Sequence, residues 1–216
     1  MYAVIMAGGK GTRVACVDSS VPKPLLPVAG KPVLWHQVES LKRQGVEHIT
    51  LTIGYLGGMI REYLGDGGRF GVKIDYIQEE TPLGTAGALY HLKNAVHDDF
   101  FLINGDLIFD VDLGRMLAFH RARRAAATLL VHPNDHTYDS GLVEVDNAGR
   151  VHGWLAKEDT RGWCRNCVNA GIHILSPRLL ERMERPQKLD LDREVLKPLI
   201  PLGEVYAYRT PEYVKD

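Results

Sequence analysis

The sequence predicts an α/β fold in which a mainly parallel sheet carries helices on both faces. Short apolar runs typical of buried strands alternate with segments whose apolar residues recur at helical spacing, from residue 2 to residue 125. Consecutive parallel strands need a crossover connection, which is usually a helix, so this alternation favours parallel pairing and right-handed crossovers. A different pattern of short strands and turns follows, and it predicts added antiparallel strands.

Each element of the first half has its own signal. The strands are apolar or alternating, and the helices carry apolar residues three and four positions apart and end at glycine or basic residues. The predicted strands are residues 2–7, 48–54, 72–78 and 99–106, and the predicted helices are residues 32–46, 57–67, 84–96 and 112–125.

The second half reads as antiparallel strands at residues 126–132, 141–146, 151–156 and 169–175. The stretch "DNAGR" predicts a hairpin turn between the middle two. A helix is expected after them, with Ser176 as its N-cap and Pro177 at its first position. Without a low-complexity linker or a repeat, residues 1–216 are interpreted as a single domain.

Composition narrows the classes of function. The chain has 216 residues, 45% of them hydrophobic, and a formal net charge of −1. Such a balance speaks against a nucleic-acid-binding protein, and no apolar run reaches membrane-spanning length. Three cysteines, an odd number, favour a reducing compartment, and we expect a cytoplasmic protein. The pair Cys164 and Cys167 has no second pair that would make a zinc site.

The end of the first predicted strand raises a specific question. "MAGGKGTR" places three glycines within four positions directly after an apolar run. A glycine turn after a strand commonly presents backbone N–H groups to an anion, although a tight turn without a ligand also fits. Neither familiar phosphate motif matches: the Gly-Lys-Ser/Thr ending is missing, and Val14 occupies the third glycine position of the dinucleotide fingerprint.

The next segment supports a phosphate ligand. Lys23 lies between Pro22 and Pro24, ten residues after Arg13. Prolines restrict the backbone, so this ammonium group sits on a stiff segment. A cation held near a glycine turn and an arginine suits a triphosphate.

Five blocks, in order, resemble the sugar-phosphate nucleotidylyltransferases, also called nucleotide-sugar pyrophosphorylases. The resemblance covers essentially the whole chain. The blocks are "GGKGTR" with "PKPLLPV", "EETPLGTAGAL", "FLINGDLIFDVDL", "VNAGIHILSP" and "EYVKD". The resemblance implies a Rossmann-like sheet of the glycosyltransferase-A-like nucleotidylyltransferase fold.

The family reaction implies roles for particular residues. A sugar 1-phosphate attacks the α-phosphorus of a nucleoside triphosphate, and pyrophosphate leaves. By resemblance Arg13, Lys23 and Asp106 are the catalytic residues, and Asp106 with Asp216 binds Mg²⁺. The expected nucleotide-binding residues are Ala7, Gly8, Gly9, Gly11, Thr12, Gln78, Gly84 and Thr85. The expected sugar-binding residues are Asn104, Gly105, Lys157, Asn169 and Gly171.

Two parts of the pattern leave alternatives open. Where the family often has Glu-Lys-Pro, this chain has Ala156, Lys157 and Glu158. Asp135, His136 and Asp139 fit either sugar contacts or a polar surface loop. Glu79 and Glu80 follow Gln78, and at least one of them is expected to be a solvated loop charge.

The resemblance is strongest to the guanylyltransferase branch that acts on D-glycero-D-manno-heptose 1-phosphate. It implies GTP and this sugar phosphate as partners, and a haloacid-dehalogenase-type phosphatase domain after residue 216. Mannose 1-phosphate with GTP is the nearest alternative, followed by uridylyl or thymidylyl transfer to glucose 1-phosphate. A non-catalytic nucleotide-sugar-binding subunit on the same fold is the alternative from another class. A homo-oligomer is left open.

Overall fold

A mixed sheet organises the chain. The computed structural model describes residues 1–9, 20–133, 141–155 and 166–215. The strands are β1 (Tyr2–Ala7), β2 (Pro27–Val28), β3 (Lys31–Pro32), β4 (His48–Ile53), β5 (Lys73–Gln78), β6 (Phe100–Asn104), β7 (Ile108–Asp110), β8 (Ala127–His132), β9 (Leu142–Val145), β10 (Val151–Leu155), β11 (Val168–Leu175), β12 (Val205–Arg209) and β13 (Tyr213–Lys215). The α-helices are α1 (Val33–Arg43), α2 (Gly57–Leu64), α3 (Leu113–Ala122) and α4 (Arg178–Glu181).

The predicted α/β class is confirmed by the strand order. Along the main path the order is β10-β9-β11-β6-β1-β4-β5, and β8 pairs with both β11 and β12. The strands β6, β1, β4 and β5 are parallel to one another, whereas β11 joins β6 in antiparallel fashion. The antiparallel hairpin of β9 and β10 closes at the predicted "DNAGR" turn, where the Asp146 carboxylate accepts the N–H groups of Ala148 and Arg150.

Two hydrophobic clusters cover the sheet. Alternate side chains of β1 enter different clusters, because successive strand residues point to opposite faces: Ile5 packs with α1, while Val4 packs with residues after β5 and β11. The strands at the centre are therefore apolar on both faces, as expected for parallel strands covered by helices. Within the described residues, no helix has the length and apolar character needed to cross a bilayer.

Two local predictions are wrong. Residues 84–96 do not form an α-helix, since a 3₁₀ helix spans only Gly87–Leu92. In the C-terminal half, Pro177 rather than Ser176 is the N-cap residue, and α4 begins at Arg178 without a side-chain cap. Glycines at positions 84 and 87 explain the first error, because both approach the backbone of residues 187–189 more closely than a regular helix with side chains would allow.

Candidate active site

Two glycine-containing turns meet at the carboxyl ends of β1 and β6. The N–H of Gly105 donates a hydrogen bond to the carbonyl of Met6 at 2.9 Å. A Cβ atom on Gly105 would lie 2.7 Å from that oxygen and 3.3 Å from Cα of Ala7. The end of β1, directly before Gly8 and Gly9, and the turn that carries Asp106 are thus in backbone contact. Open α/β sheets bind ligands at this edge.

The Asp106 turn is also joined to the C-terminal end of the described chain. β13 pairs antiparallel with β7, so that Lys215 lies opposite Ile108, two residues after Asp106. Asp216, which directly follows Lys215 in the chain, lies outside the described residues. The Asp106 side chain is exposed and forms no hydrogen bond or ion pair with the rest of the described chain. Among the residues that the structure describes, nothing therefore occupies its carboxylate.

Gln37 of α1 contacts the same turn from the protein interior. Its side chain is fully buried, and its Nε2 donates to the carbonyls of Asn104 and Leu107, each at 2.8 Å. These carbonyls lie on either side of Gly105 and Asp106.

Lys23 lies in a short 3₁₀ helix, Lys23–Leu25, and has a proline directly before it and another directly after it. Pro22 and Pro24 are buried, while Lys23 is partly exposed. The N–H of Val33 donates to the carbonyl of Leu26 at 3.1 Å, which attaches this helix to the start of α1. The stiff cationic segment expected from the prolines is present, and its cation remains accessible.

A cavity of about 330 Å³ opens beside Gly8 at the ends of β1, β4 and β5. Its lining residues are Gly8, Gly54, Tyr55, Gln78, Glu79, Glu80 and Pro82. Tyr55 is 65% exposed. Burial raises the pKa of Glu79, whose carboxylate lies against Gly8. The cavity thus combines an aromatic ring, a half-buried carboxylate and the Gln78 amide, a set suited to a planar polar ring.

Gly84 and Thr85 make contacts that the sequence did not suggest. Gly84 has a φ of +76° and pairs with Leu189 as an isolated parallel bridge. The Thr85 hydroxyl accepts the N–H of Leu191 at 2.7 Å. Both residues therefore hold the segment around residue 189, and their expected contact with the base stays a prediction.

Asn104, Asn169 and Gly171 come together on the neighbouring strands β6 and β11. Gly171 has a φ of +76°, and a Cβ there would collide with the Asn104 side chain. The Asn169 side chain accepts the N–H of Gly171 at 3.2 Å. The two amides thus lie next to the Asp106 turn. The other expected site residues, Gly11, Thr12, Arg13, Lys157 and Asp216, lie outside the described residues, as do Asp135, His136, Asp139, Ala156 and Glu158.

Comparison with known proteins identifies the family. A family model described as "Nucleotidyl transferase" matches residues 2–207. This chain belongs to the nucleotidyl transferase family.

Two curated members of the nucleotidyl transferase family show how much of a relative this chain covers. A mannose-1-phosphate guanylyltransferase of Mycobacterium tuberculosis is 33% identical over 99% of this chain and 60% of its own length. The mannose-1-phosphate guanylyltransferase catalytic subunit beta of Danio rerio is 35% identical over 100% of this chain and 61% of its own length. The chain thus spans about three fifths of these relatives.

Solved structures agree with the nucleotidyl transferase fold. HddC from Yersinia pseudotuberculosis matches this chain with a TM-score of 0.84 and 27% sequence identity. The match covers 100% of this chain and 92% of the HddC chain. A second structure of HddC, with GMP-PN bound, gives the same TM-score at 26% identity. A putative glucose-1-phosphate thymidylyltransferase from Bacillus anthracis, at 22% identity and a TM-score of 0.86, shares the fold.

Sequence reasoning missed Gln37 and Tyr55. Gln37 had a detectable signal, because it occupies the apolar face of α1 together with Leu34, Val38 and Leu41, at helical spacing. A polar residue among these buried positions needs hydrogen-bond partners. Tyr55 had no such signal, since an exposed tyrosine is ordinary until a cavity is seen beside it.

Proposed function

We propose that this chain transfers a guanylyl group from GTP to a sugar 1-phosphate, with D-glycero-D-manno-heptose 1-phosphate as the first candidate, and releases pyrophosphate. One observation carries the proposal: the backbone contact of Gly105 with Met6 and Ala7 places the Asp106 turn beside the end of β1, from which the glycine segment starts. In this proposal the glycine turn binds phosphate, and the neighbouring Asp106 carboxylate is placed to hold a metal ion against it.

The chemistry requires positioning more than proton transfer. A sugar phosphate oxygen attacks the α-phosphorus in line, the bond from that phosphorus to the bridging oxygen breaks, and pyrophosphate leaves. Because the nucleophile is already an anion, no general base is needed. In this proposal backbone N–H groups of the glycine turn bind the triphosphate, Arg13 neutralises the departing pyrophosphate, and Lys23 reaches the reacting phosphates.

The proposed metal is Mg²⁺, and the carboxylate of Asp106 is a ligand of the type that this ion prefers. Hard divalent cations prefer oxygen ligands and commonly combine one or two carboxylates with substrate phosphates. Asp106 offers such a carboxylate, and the pairing of Lys215 with Ile108 brings the chain back towards it before Asp216. In the proposal Asp106 and Asp216 hold the ion. When bound, Mg²⁺ would neutralise charge on the phosphates.

The half-buried Glu79 favours guanine in the cavity. Guanine offers two adjacent donors, N1–H and the N2 amino group, which match the two oxygens of a carboxylate. Uracil and thymine offer a single N–H on the corresponding edge. The relatives with curated names, which are guanylyltransferases, agree with this choice.

Mannose 1-phosphate is the second candidate sugar, because the curated relatives are named for it. The heptose proposal rests on the resemblance of "GTAGAL", "NGD" and "DLDREVLKPLI". The proposal also includes a cytoplasmic location and, in a longer protein, a phosphatase domain beyond residue 216.

A substrate panel tests the function. Pyrophosphate release is measured with GTP, UTP, dTTP and ATP against heptose, mannose and glucose 1-phosphates. We expect turnover with GTP and the heptose, and falls on the order of a hundredfold or more in Lys23→Ala and Asp106→Asn, typical of losing a strong transition-state contact. Wild-type rates in both variants would contradict the assignment, and no turnover with any pair would favour a non-catalytic nucleotide-sugar-binding subunit.

A further inference from the structure

Gln37 uses both of its donors on one turn. A primary amide carries two N–H groups, and here Nε2 donates to the carbonyls of Asn104 and Leu107 at 2.8 Å each. The side chain is fully buried on α1, so water does not compete for these bonds. Since the two carbonyls bracket Gly105 and Asp106, the amide closes the turn from inside the protein.

The carbonyl oxygen of the Gln37 side chain supports this assignment of the two donated bonds. Oε1 of Gln37 is buried and has no hydrogen-bond partner within the described residues. Exchanging the amide's O and N would place an oxygen against two carbonyl oxygens, so the observed orientation is the one that chemistry allows. The unmet acceptor indicates that the site is built around the two donated bonds rather than around packing, for which a leucine would serve.

The same helix holds the segment of Lys23. The Val33 N–H at the start of α1 donates to the Leu26 carbonyl, and the Leu26 N–H donates to the Lys23 carbonyl at 2.9 Å. One turn further along α1, Gln37 bonds the turn of Asp106. α1 therefore connects two segments of the proposed phosphate site. One carries the positive charge of Lys23, and the other carries the negative charge of Asp106.

We infer that Gln37 is a positioning residue for the nucleotidyl transfer reaction: through the carbonyls of Asn104 and Leu107 it holds the turn that orients the Asp106 carboxylate. This inference rests on the proposed function. Because its side chain is fully buried, Gln37 acts on the reaction only through this turn. A small displacement of a reacting group can lower a rate by about a hundredfold, so loosening this turn is expected to reduce turnover strongly.

The experiment compares Gln37→Met and Gln37→Asn with the wild-type chain and with Ser40→Ala. Methionine keeps the length of the side chain without its donors, and asparagine keeps the amide but shortens its reach. Ser40 is a matched control, because it is also buried on α1 and lies outside the proposed site. Hydrogen exchange of the backbone amides in residues 104–107, the thermal midpoint, kcat and both KM values are measured.

For Gln37→Met we expect at least tenfold faster exchange in residues 104–107 and a kcat lower by about 10- to 100-fold. KM for GTP should change less than threefold, because Gln37 lies away from the base cavity. Ser40→Ala should match the wild type. The inference is overturned if a folded variant exchanges at the wild-type rate, or if exchange rises and the midpoint falls while kcat stays within twofold.

Two further outcomes are decisive. If Gln37→Met does not fold, Gln37→Asn provides the same comparison with a smaller change. If the wild-type chain turns over no substrate pair, the proposed function fails, whereas the exchange of residues 104–107 still tests whether Gln37 holds the turn.

Discussion

The Glu79 carboxylate lies directly against the backbone of Gly8. A Cβ on Gly8 would come within 2.7 Å of Oε2 of Glu79, so a larger residue here would displace this carboxylate. The N–H of Glu79 donates to the Ile53 carbonyl at 2.8 Å, which holds the residue at the end of β4. The glycine turn, whose bare backbone suggested a phosphate site, therefore also accommodates a carboxylate in the neighbouring cavity.

Glu79→Gln is expected to weaken the preference for guanine. An amide presents one acceptor and one donor, so it cannot accept both N–H groups of the guanine edge. We expect kcat/KM for GTP to fall by roughly 10- to 100-fold relative to UTP, the usual value of a bidentate base contact. Steady-state assays of pyrophosphate release with each nucleotide measure the change. The matched control is Glu62→Gln, an exposed glutamate on α2 outside the cavity lining, and an equal loss in both variants would contradict the role of Glu79.

The same carboxylate predicts a pH dependence. Because burial raises the pKa of Glu79, it takes up a proton at higher pH than an ordinary glutamate. The protonated acid loses one acceptor, so KM for GTP should rise as the pH is lowered from 7 to 5. This rise in KM should be absent in Glu79→Gln. If the rise remains in that variant, another titrating group causes it.

Gly105→Ala should damage stability and activity together. The new methyl group would meet the carbonyl of Met6 and Cα of Ala7, both backbone atoms that cannot rotate away. Overpacking of this kind costs about 1–3 kcal/mol of unfolding free energy, and the Asp106 turn would be displaced. Urea unfolding and pyrophosphate release measure the two effects. Gly58→Ala is the control: nothing lies within 4 Å of its Cβ, and alanine should stabilise α2 slightly. If Gly105→Ala and Gly58→Ala had the same stability and activity, the close contact of Gly105 with Met6 and Ala7 would be refuted.

His173 should make the protein less stable in acid. Desolvation lowers its pKa from 6.5 to about 4, and an interaction with the Leu102 backbone offsets only part of this effect. Below pH 6.5 His173 becomes protonated in the unfolded chain but stays neutral in the folded chain. The free energy of unfolding therefore falls as the pH drops towards 4. The loss reaches roughly 3 kcal/mol. His173→Leu should therefore be more stable than the wild type at pH 5 in urea unfolding, whereas His97→Leu, on the surface, should show no such gain.

Asp192 should make the protein less stable as the pH rises, the opposite of the effect of His173. Burial, with a smaller contribution from Asp190, raises the pKa of Asp192 from 3.8 to about 6. The folded chain therefore holds this proton more tightly than the unfolded chain, and stability is lost as the pH rises through 6. Asp192→Asn should stabilise the fold at pH 8 by up to about 3 kcal/mol and by little at pH 4. Asp98→Asn, exposed on the surface, is the control, and an equal gain there would point to net charge instead.

The local pattern of the sequence predicted β8 and the strands of the main path, but not β12 (Val205–Arg209), which joins the sheet by pairing with β8. The strand β1 followed by glycines, the proline-flanked Lys23 and the strand ending at Asp106 were all predicted from neighbouring residues. Periodicity failed at Gly87–Leu92, where a tight approach to residues 187–189 decides the backbone.

By itself the sequence indicated candidate residues for binding phosphate, metal and sugar, because the motifs that resemble a known family, and the propensities for strands and turns, are local properties. Only the tertiary structure decided which of them meet: Gly105 with Met6, Gln37 with the carbonyls around Asp106, Glu79 with Gly8, and Thr85 with Leu191. Each pair joins residues that are distant along the chain. Their contact follows from the order in which the strands assemble and bury their apolar faces, and that order cannot be derived from any short stretch of residues.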